Sequence, residues 1–162
     1  MVVSNTSPLV YLAALGDFEL LGELFGQIVI PRAVHYEIAV GGMNLPVARA
    51  VAAANTVWLS VADVTNMSEV ERLRQTGLHL GESEAIVLAT ELSSPALLMD
   101  DSDGVRAATA SGANVIRTPG IYRLAKDRHL VPAVGPKLDS LRRAGFWLRE
   151  EHYQMILRSV GE

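Results

Sequence analysis

Short apolar runs alternate with amphipathic segments along the whole chain. Runs that are apolar almost throughout are typical of strands buried on both faces of a sheet. They occupy residues 2–3, 28–30, 57–61, 96–99 and 114–116. Between them, apolar residues recur every three or four positions, which predicts helices that bury one face. Because strands alternate with helices, the pattern predicts an α/β protein with a mostly parallel central sheet that helices cover on both faces.

Several residues mark where the predicted helices begin and end. Ser7 resembles an N-cap with Pro8 at the first helical position, and a long central helix is expected to start near Ser83. A loop is expected at residues 42–46, where glycines interrupt the helical pattern. Gly145 separates the last two predicted helices.

The composition narrows the range of functions. A chain of 162 residues, 49% of them hydrophobic, is expected to form one domain over residues 1–162. It contains no cysteine, which excludes disulfides, thiolate zinc sites and a cysteine nucleophile. A net charge of −4 argues against a protein that coats nucleic acid through overall basicity. The first residues resemble neither a secretion signal nor a membrane span, so we expect a cytoplasmic protein without membrane contact.

Common catalytic motifs are absent from the sequence. There is no G-x-G-x-x-G after the first predicted strand, no P-loop and no G-x-S-x-G. The histidines lack the spacing of a metal site and are interpreted as surface or structural residues. They are His35, His79, His129 and His152. Any chemistry must therefore come from other polar groups.

Carboxylates concentrate in one stretch, GESEAIVLATELSSPALLMDDSDGVR. Its five acids are Glu82, Glu84, Asp100, Asp101 and Asp103. The two glutamates lie in or beside the first turn of the predicted central helix, and the aspartates follow the predicted strand at 96–99. Ligands of open α/β sheets bind outside the carboxyl ends of the strands, so we expect these acids to face a crevice. Because clustered carboxylates repel one another, such a crevice suits Mg²⁺ or Mn²⁺.

Each acid cluster also has a purely structural interpretation. Carboxylates in a first turn suit the helix dipole, and an Asp-rich turn is often simply solvated. The presence of both clusters at element ends favours a ligand site. Asn5, Ser7 and Glu37 fall near the ends of the first two predicted strands, although Glu37 alone would be an ordinary surface carboxylate. Oxygen ligands of this kind suit a hard divalent cation.

Five segments resemble a known family. The opening VVSNTSPL, the segment IPRAVHYEI, the string GESEAIVLA, the run LLMDDSDGVR and the closing helices that end in GE are similar to PIN-like domains related to the VapC-type toxins. The similarity covers essentially the whole chain. It implies a three-layer α/β/α fold and Mg²⁺- or Mn²⁺-dependent cleavage of RNA. It also implies a role as the toxin of a toxin–antitoxin pair, with a cognate antitoxin protein as partner.

The resemblance also implies which residues form the site. The family's D-x-[ST] turn after the first strand corresponds to Asn5, Thr6 and Ser7, so Asn5 departs from the usual aspartate. The string GESEA can be aligned on either glutamate, and two such positions lie about 200° apart around a helix, so only one should bind the ion directly. The implied metal ligands, whose acids are also the expected catalytic residues, are Asn5, Glu37, Glu82, Glu84, Asp101 and Asp103, with Asp100 as a neighbour.

Substrate contacts are expected from polar and basic residues near these acids. Ser7 would orient a ligand or a water molecule. Arg106 would hold the RNA backbone together with Arg117, Arg123 and Lys126. An equally simple interpretation of the basic residues is a set of ordinary surface charges.

Two other functions are compatible with the sequence. The loss of one negative charge at Asn5 would suit a non-catalytic PIN-like module that binds RNA or a protein. Asp100 and Asp101 would also suit a receiver-like phosphoacceptor domain, although such acids normally follow the first strand.

The N-terminal helices predict an oligomer. Their apolar stripe of Tyr11, Phe18, Leu21 and Phe25 is larger than a short helix needs for its own core. We therefore expect a homodimer through these helices, as the family resemblance also suggests.

Overall fold

A five-stranded sheet forms the centre of the protein. The structure, a computed structural model, describes residues 1–41 and 45–162. The strands are β1 (Val2–Ser4), β2 (Ile28–Pro31), β3 (Leu59–Ala62), β4 (Leu97–Leu98) and β5 (Val115–Ile116). Their order is β3-β2-β1-β4-β5, and each neighbouring pair is parallel. The predicted parallel sheet is therefore confirmed.

Helices connect the strands and close the chain. Within the described residues they are α1 (Thr6–Ala14), α2 (Leu20–Phe25), α3 (Arg32–Val40), α4 (Leu45–Ala54), α5 (Met67–Gln75), α6 (Leu80–Glu91), α7 (Ser102–Ala110), α8 (Thr118–Asp127), α9 (Gly135–Arg143) and α10 (Glu150–Ser159). Residues 42–44 of the predicted loop lie outside the described residues.

Apolar side chains fill both sides of the sheet. Successive strand residues point to opposite faces. Val2 belongs to a core cluster to which α1, α2, α3, α4, α8 and α9 contribute, and Val3 belongs to a second cluster with residues of α5, α6 and α7. The central helix α6 is buried from Gly81 to Ala89, because α3, α5, α7 and the sheet all contact it. Two cores separated by one sheet make the three-layer α/β/α arrangement that was expected.

The start of the first helix differs from the prediction. Asn5, not Ser7, is the N-cap of α1, so the helix begins at Thr6 and Pro8 is its third residue. Proline is tolerated there because the first N–H groups of a helix have no partner within the helix.

Two further boundaries move by a few residues. β3 begins at Leu59, because the N–H groups of Val57 and Trp58 both donate to the Ala54 carbonyl and form a turn. α6 begins at Leu80 rather than near Ser83, with His79 at its N-cap. The helix therefore already includes the acids of GESEA in its first turns.

The N-terminal apolar stripe belongs to the chain's own core. Phe18 and Leu21 are buried, and Phe25 packs against the same core cluster. The ring of Tyr11 meets Phe146 edge to face, with centroids 5.1 Å apart. The stripe therefore does not by itself indicate an interface between chains, and the homodimer stays a prediction.

Candidate active site

The order of the strands marks one edge of the sheet for ligand binding. The chain moves outward from β1 to β2 and β3, then returns to the other side of β1 to form β4 and β5. The order thus reverses between β1 and β4, and in such sheets a crevice opens outside the carboxyl ends of these two strands. Asn5 follows β1 and its N–H donates to the Leu98 carbonyl at 2.9 Å. Asp100 and Asp101 follow β4, so both segments meet at this crevice.

The side chain of Asn5 is buried without capping its helix. An asparagine at an N-cap usually accepts a hydrogen bond from an N–H of the first turn. Asn5 has the extended backbone of an N-cap, with φ −83° and ψ 177°, but makes no such bond and is only 5% exposed. The Asn5 side chain therefore takes no part in capping α1.

Glu37 reaches the crevice from α3. The Thr6 hydroxyl donates to its carboxylate, which ties α3 to the start of α1. The same carboxylate lies directly against Gly81 in the first turn of α6, where a Cβ atom would collide with Glu37 Oε1. Gly81 therefore leaves room for the Glu37 carboxylate, which would have to move if this position carried a side chain.

The charges of two other acids act on Glu82. It is 9% exposed, and one carboxylate oxygen accepts the His79 N–H at 3.0 Å. Burial raises the pKa of Glu82 above its ordinary value, and the charges of Asp101 and Glu37 raise it further against the opposing effect of the His79 hydrogen bond. The charge on Glu82 is therefore disfavoured by burial and by acids on α3 and at the end of β4.

Glu84 has a different partner. Its Oε2 accepts the Ala33 N–H at 2.9 Å and so joins α6 to the first turn of α3. Because Glu82 is the glutamate that the charges of Asp101 and Glu37 act upon, it is the better candidate for a ligand, and Glu84 holds the two helices in place.

The two aspartates after β4 have separate environments. Asp101 is the exposed N-cap of α7 and accepts the N–H groups of Asp103 and Gly104 at 2.9 and 3.1 Å. Both bonds use Oδ1, which leaves Oδ2 outside the cap. Asp100 is buried and accepts the N–H and the hydroxyl of Thr118 at 2.8 and 2.7 Å.

Asp100 therefore acts as a joint between β4 and α8. Burial raises the pKa of Asp100, while the two Thr118 hydrogen bonds and the nearby Arg117 act in the opposite direction. Because Thr118 engages both carboxylate oxygens, this structure gives no support to the phosphoacceptor alternative.

The remaining predicted residues lie at the rim. Ser7 is half-buried in the first turn of α1. Asp103 is exposed and forms an ion pair with Arg106 one helical turn away on α7. Its charge is therefore balanced at the surface, unlike that of Glu82.

The predicted basic rim is only partly assembled. Arg117 donates to the Asp100 carbonyl at 2.5 Å, which holds it beside the crevice. Arg123 is 3.8 Å from Asp127 on α8. Lys126 faces Glu162, 3.4 Å away at the C-terminal end.

The donor atoms of the site residues are of the type that binds a divalent cation, but they do not form a ready-made cage of ligands. Carboxylate and amide oxygens are the ligands that Mg²⁺ and Mn²⁺ prefer, and the buried Asn5 amide without a cap bond adds one such donor. Among residues 1–41 and 45–162, however, no three Asp, Glu or His side chains lie close enough to hold one ion. Mg²⁺ usually keeps several water ligands and is held by one or two carboxylates, so a cage of three acids is not required.

Sequence reasoning missed three residues that shape this region. Thr6 holds Glu37, Gly81 makes room for it, and Thr118 engages Asp100. Thr6 and Gly81 stand beside predicted site residues in the quoted segments, which was a usable signal. The partnership of Thr118 with Asp100 joins positions 18 residues apart and has no local signature.

The described helices include none that is both long and apolar enough to cross a membrane.

A search of curated proteins finds no match to the chain. A family model described as a PIN domain, DUF3368, matches residues 1–162. Together with the α/β/α architecture, this match places the chain in the family that its motifs indicated: it belongs to the PIN domains.

Proposed function

We propose that the protein is a metal-dependent endoribonuclease that uses Mg²⁺ or Mn²⁺. The observation that carries the proposal is Glu82, a buried carboxylate whose pKa is raised at the carboxyl edge of the sheet by burial and by Asp101 and Glu37. Such a group is costly to keep ionised unless a cation is nearby. The PIN domain is generally a nuclease fold that uses divalent metals, which agrees with this electrostatic argument.

The chain's own residues would hold the reacting groups in place. Glu82, Glu37 and Asp101 would bind the cation together with the Asn5 amide. A bound Mg²⁺ or Mn²⁺ supplies positive charge that favours attack by water and departure of the ribose oxygen. In the hydrolysis, a bond forms from the water oxygen to phosphorus and the bond from phosphorus to the leaving oxygen breaks. The proton that the water loses balances the proton that the leaving oxygen gains.

Other groups would orient these acids and the substrate. The Thr6 hydroxyl donates a hydrogen bond to the Glu37 carboxylate, and the His79 N–H donates one to the Glu82 carboxylate. Each bond restricts the rotation of the carboxylate that accepts it. Ser7 would orient water or a phosphate oxygen at the start of α1. Arg106 and Arg117 would contact backbone phosphates beside Asp101.

The direct test is cleavage of a mixed set of RNAs by the purified protein. Cleavage is expected with Mn²⁺ or Mg²⁺ and should stop when EDTA is added. Activity that survives EDTA would reject the proposal. Glu71→Gln is a matched charge control that should cleave normally, because Glu71 is exposed on α5 and pairs there with Arg74.

A binding module without catalysis is the second candidate. The observation that favours it is Asn5, which removes one negative charge from the group that would hold the cation. RNA that binds but is never cleaved at any Mn²⁺ concentration would support this candidate over the nuclease. Restoration of cleavage by Asn5→Asp would identify the missing charge as the cause.

We also propose the toxin role, with a cognate antitoxin as partner, and a homodimer. Exposed Tyr36, Met67 and Leu80 line a cavity of about 370 Å³ that also includes Glu37 and Glu84. A partner segment that covered these apolar side chains would cover the acids as well, which suits an inhibitor. Growth arrest on expression, relieved by a co-expressed neighbouring gene, tests the pair.

Light scattering tests the dimer, and a monomeric mass at micromolar concentration would reject it.

A further inference from the structure

A large groove runs beside the edge strand β5, and the acids that the nuclease proposal uses are not part of its lining. Its volume is about 710 Å³. It runs beside β5 and α8 and is closed on the other side by the segment that leads into α10. Apolar side chains, including Ile116, Leu124 and Ile156, form part of its wall. The acids of the candidate active site account for neither the size of this groove nor the residues that line it.

The groove is positively charged on an acidic protein. Arg117, Arg123, Arg149 and His152 line it, and among the described residues no Asp or Glu does. The chain as a whole carries a net charge of −4, so this concentration of cations is a local feature. Asp127 lies 3.8 Å from Arg123, but both side chains are about half exposed and such a pair is weak. The charge therefore suits a polyanion.

An exposed tryptophan stands in the same groove. Trp147 is 75% exposed, and the Arg149 guanidinium lies over its ring at 5.2 Å from the centroid. Covering this ring with a ligand would remove apolar surface from water, which is favourable. Aromatic rings beside arginines are the surfaces on which proteins stack unpaired bases.

One end of the groove reaches the candidate active site. Ser102, the residue after Asp101, belongs to its lining. Arg117 donates to the Asp100 carbonyl at 2.5 Å and lies 3.4 Å from the Ser102 hydroxyl. A chain of phosphates that followed the arginines would therefore arrive beside Asp101.

We infer that this groove binds single-stranded RNA, with a base stacked on Trp147 and phosphates on Arg117, Arg123 and Arg149. The inference rests on the proposed ribonuclease function and specifies how its substrate is held. Stacking on Trp147 requires a base that is free of a pairing partner, so a single strand should bind more tightly than a duplex. The uncharged part of the wall suits the apolar faces of bases and sugars.

The test is the affinity of a short fluorescent oligouridine for the full chain in EDTA, measured by anisotropy. Trp147→Ala should weaken binding roughly 5- to 150-fold, the range that the loss of one stacked base implies. Trp147→Phe should restore most of the affinity, because it keeps an aromatic face. Arg74→Gln on α5 is the matched control for surface arginines and should bind as the original chain does.

Salt dependence tests the phosphate contacts separately. If Arg149 neutralises one phosphate, Arg149→Gln should reduce the slope of log K against log salt by roughly 0.7, and Arg74→Gln should leave it unchanged. Unchanged affinity in Trp147→Ala, or equal affinity for duplex and single strand, would overturn the inference. The inference would also be overturned if an excess of a second oligonucleotide displaced no bound RNA while a peptide bound saturably. That result would identify a groove for protein.

Failure of this inference is distinguishable from failure of the nuclease proposal. RNA bound through Trp147 but never cleaved with Mn²⁺ would leave the groove in place and reject catalysis. Metal-dependent cleavage with the same affinity in Trp147→Ala would support catalysis and reject the groove.

Discussion

Two carboxylates in this protein accept hydrogen bonds at the start of a helix, but their surroundings shift their pKa values in opposite directions. At the C-terminal end, Glu162 accepts the N–H groups of Val134 and Gly135 at 2.8 Å, with Lys126 3.4 Å away. These hydrogen bonds lower the pKa of Glu162. At the crevice, Glu82 accepts one N–H, from His79, and is surrounded by burial and like charge, which raise its pKa.

The comparison separates a structural carboxylate from one that needs a ligand. Donors and a cation satisfy Glu162, so its charge stabilises the junction between α9 and the chain end. The surroundings of Glu82 disfavour its charge, and a divalent cation would reverse that balance. The sequence alone does not distinguish the two glutamates, whereas the partners that folding supplies are different.

The largest effect is expected for a substitution of Asp101, the exposed acid of the crevice. Asp101→Asn keeps the cap of α7, because asparagine caps a helix about as well as aspartate. It removes one charge from the group around Glu82. Metal-dependent RNA cleavage should fall by roughly 100-fold or more, beyond the range typical of residues behind the metal ligands. Asp103→Asn should cost less, because Asp103 pairs with Arg106 at the surface; equal losses would mean that the two acids share the site.

Adding a charge to the crevice should have the next largest effect. Asn5→Asp is expected to bind Mn²⁺ about tenfold more tightly, which corresponds to about 1.4 kcal/mol. Without metal, the new like charge should lower the melting temperature, and with Mn²⁺ the rise should be larger than in the original chain. Asn55→Asp at the exposed end of α4 is the control. If Asn5→Asp changes neither the metal-free melting temperature nor its rise with Mn²⁺, Asn5 does not face the acids.

Removing the satisfied carboxylate should destabilise the fold. Glu162→Gln is expected to lower the free energy of unfolding at neutral pH by about 1 kcal/mol, similar to the loss of a helix cap. Because the folded pKa of Glu162 lies below its ordinary value, this stability is present at neutral pH and disappears as the pH falls through the folded pKa. Denaturant unfolding at several pH values measures it, and a difference that persists in strong acid would contradict the charge argument.

The opposite pH dependence is expected for Glu82, with the smallest effect. Its folded pKa lies above the ordinary value, so the metal-free protein loses stability as the pH rises from that ordinary value through the folded pKa. Glu82→Gln keeps an oxygen that can accept the His79 N–H and removes the charge. In EDTA at neutral pH it should gain less than about 1 kcal/mol, and the gain should vanish in acid. Destabilisation by Glu82→Gln at neutral pH would show that the capping bond outweighs the repulsion.

The alternation of apolar runs with amphipathic segments was sufficient to predict the parallel sheet and its two helical layers. Val3 and Val29 read as buried in the sequence because strands covered on both faces have no polar side. The positions of Asn5 and Asp101 at strand ends followed from the same pattern. Helix starts were less predictable, since Ser7 and Asn5 are both good caps by composition.

Only the folded chain decided which acids come together. The spacing of GESEA left Glu82 and Glu84 equivalent. In the folded chain Glu84 accepts the Ala33 N–H of α3, whereas Glu82 is the glutamate whose pKa the charge of Asp101 raises. The same holds for the N-terminal stripe, which local pattern could not assign to a core or an interface. Periodicity depends on neighbours along the chain and therefore predicts elements, whereas charge balance depends on groups far apart in sequence, such as Asp100 and Thr118, that only tertiary packing brings within reach.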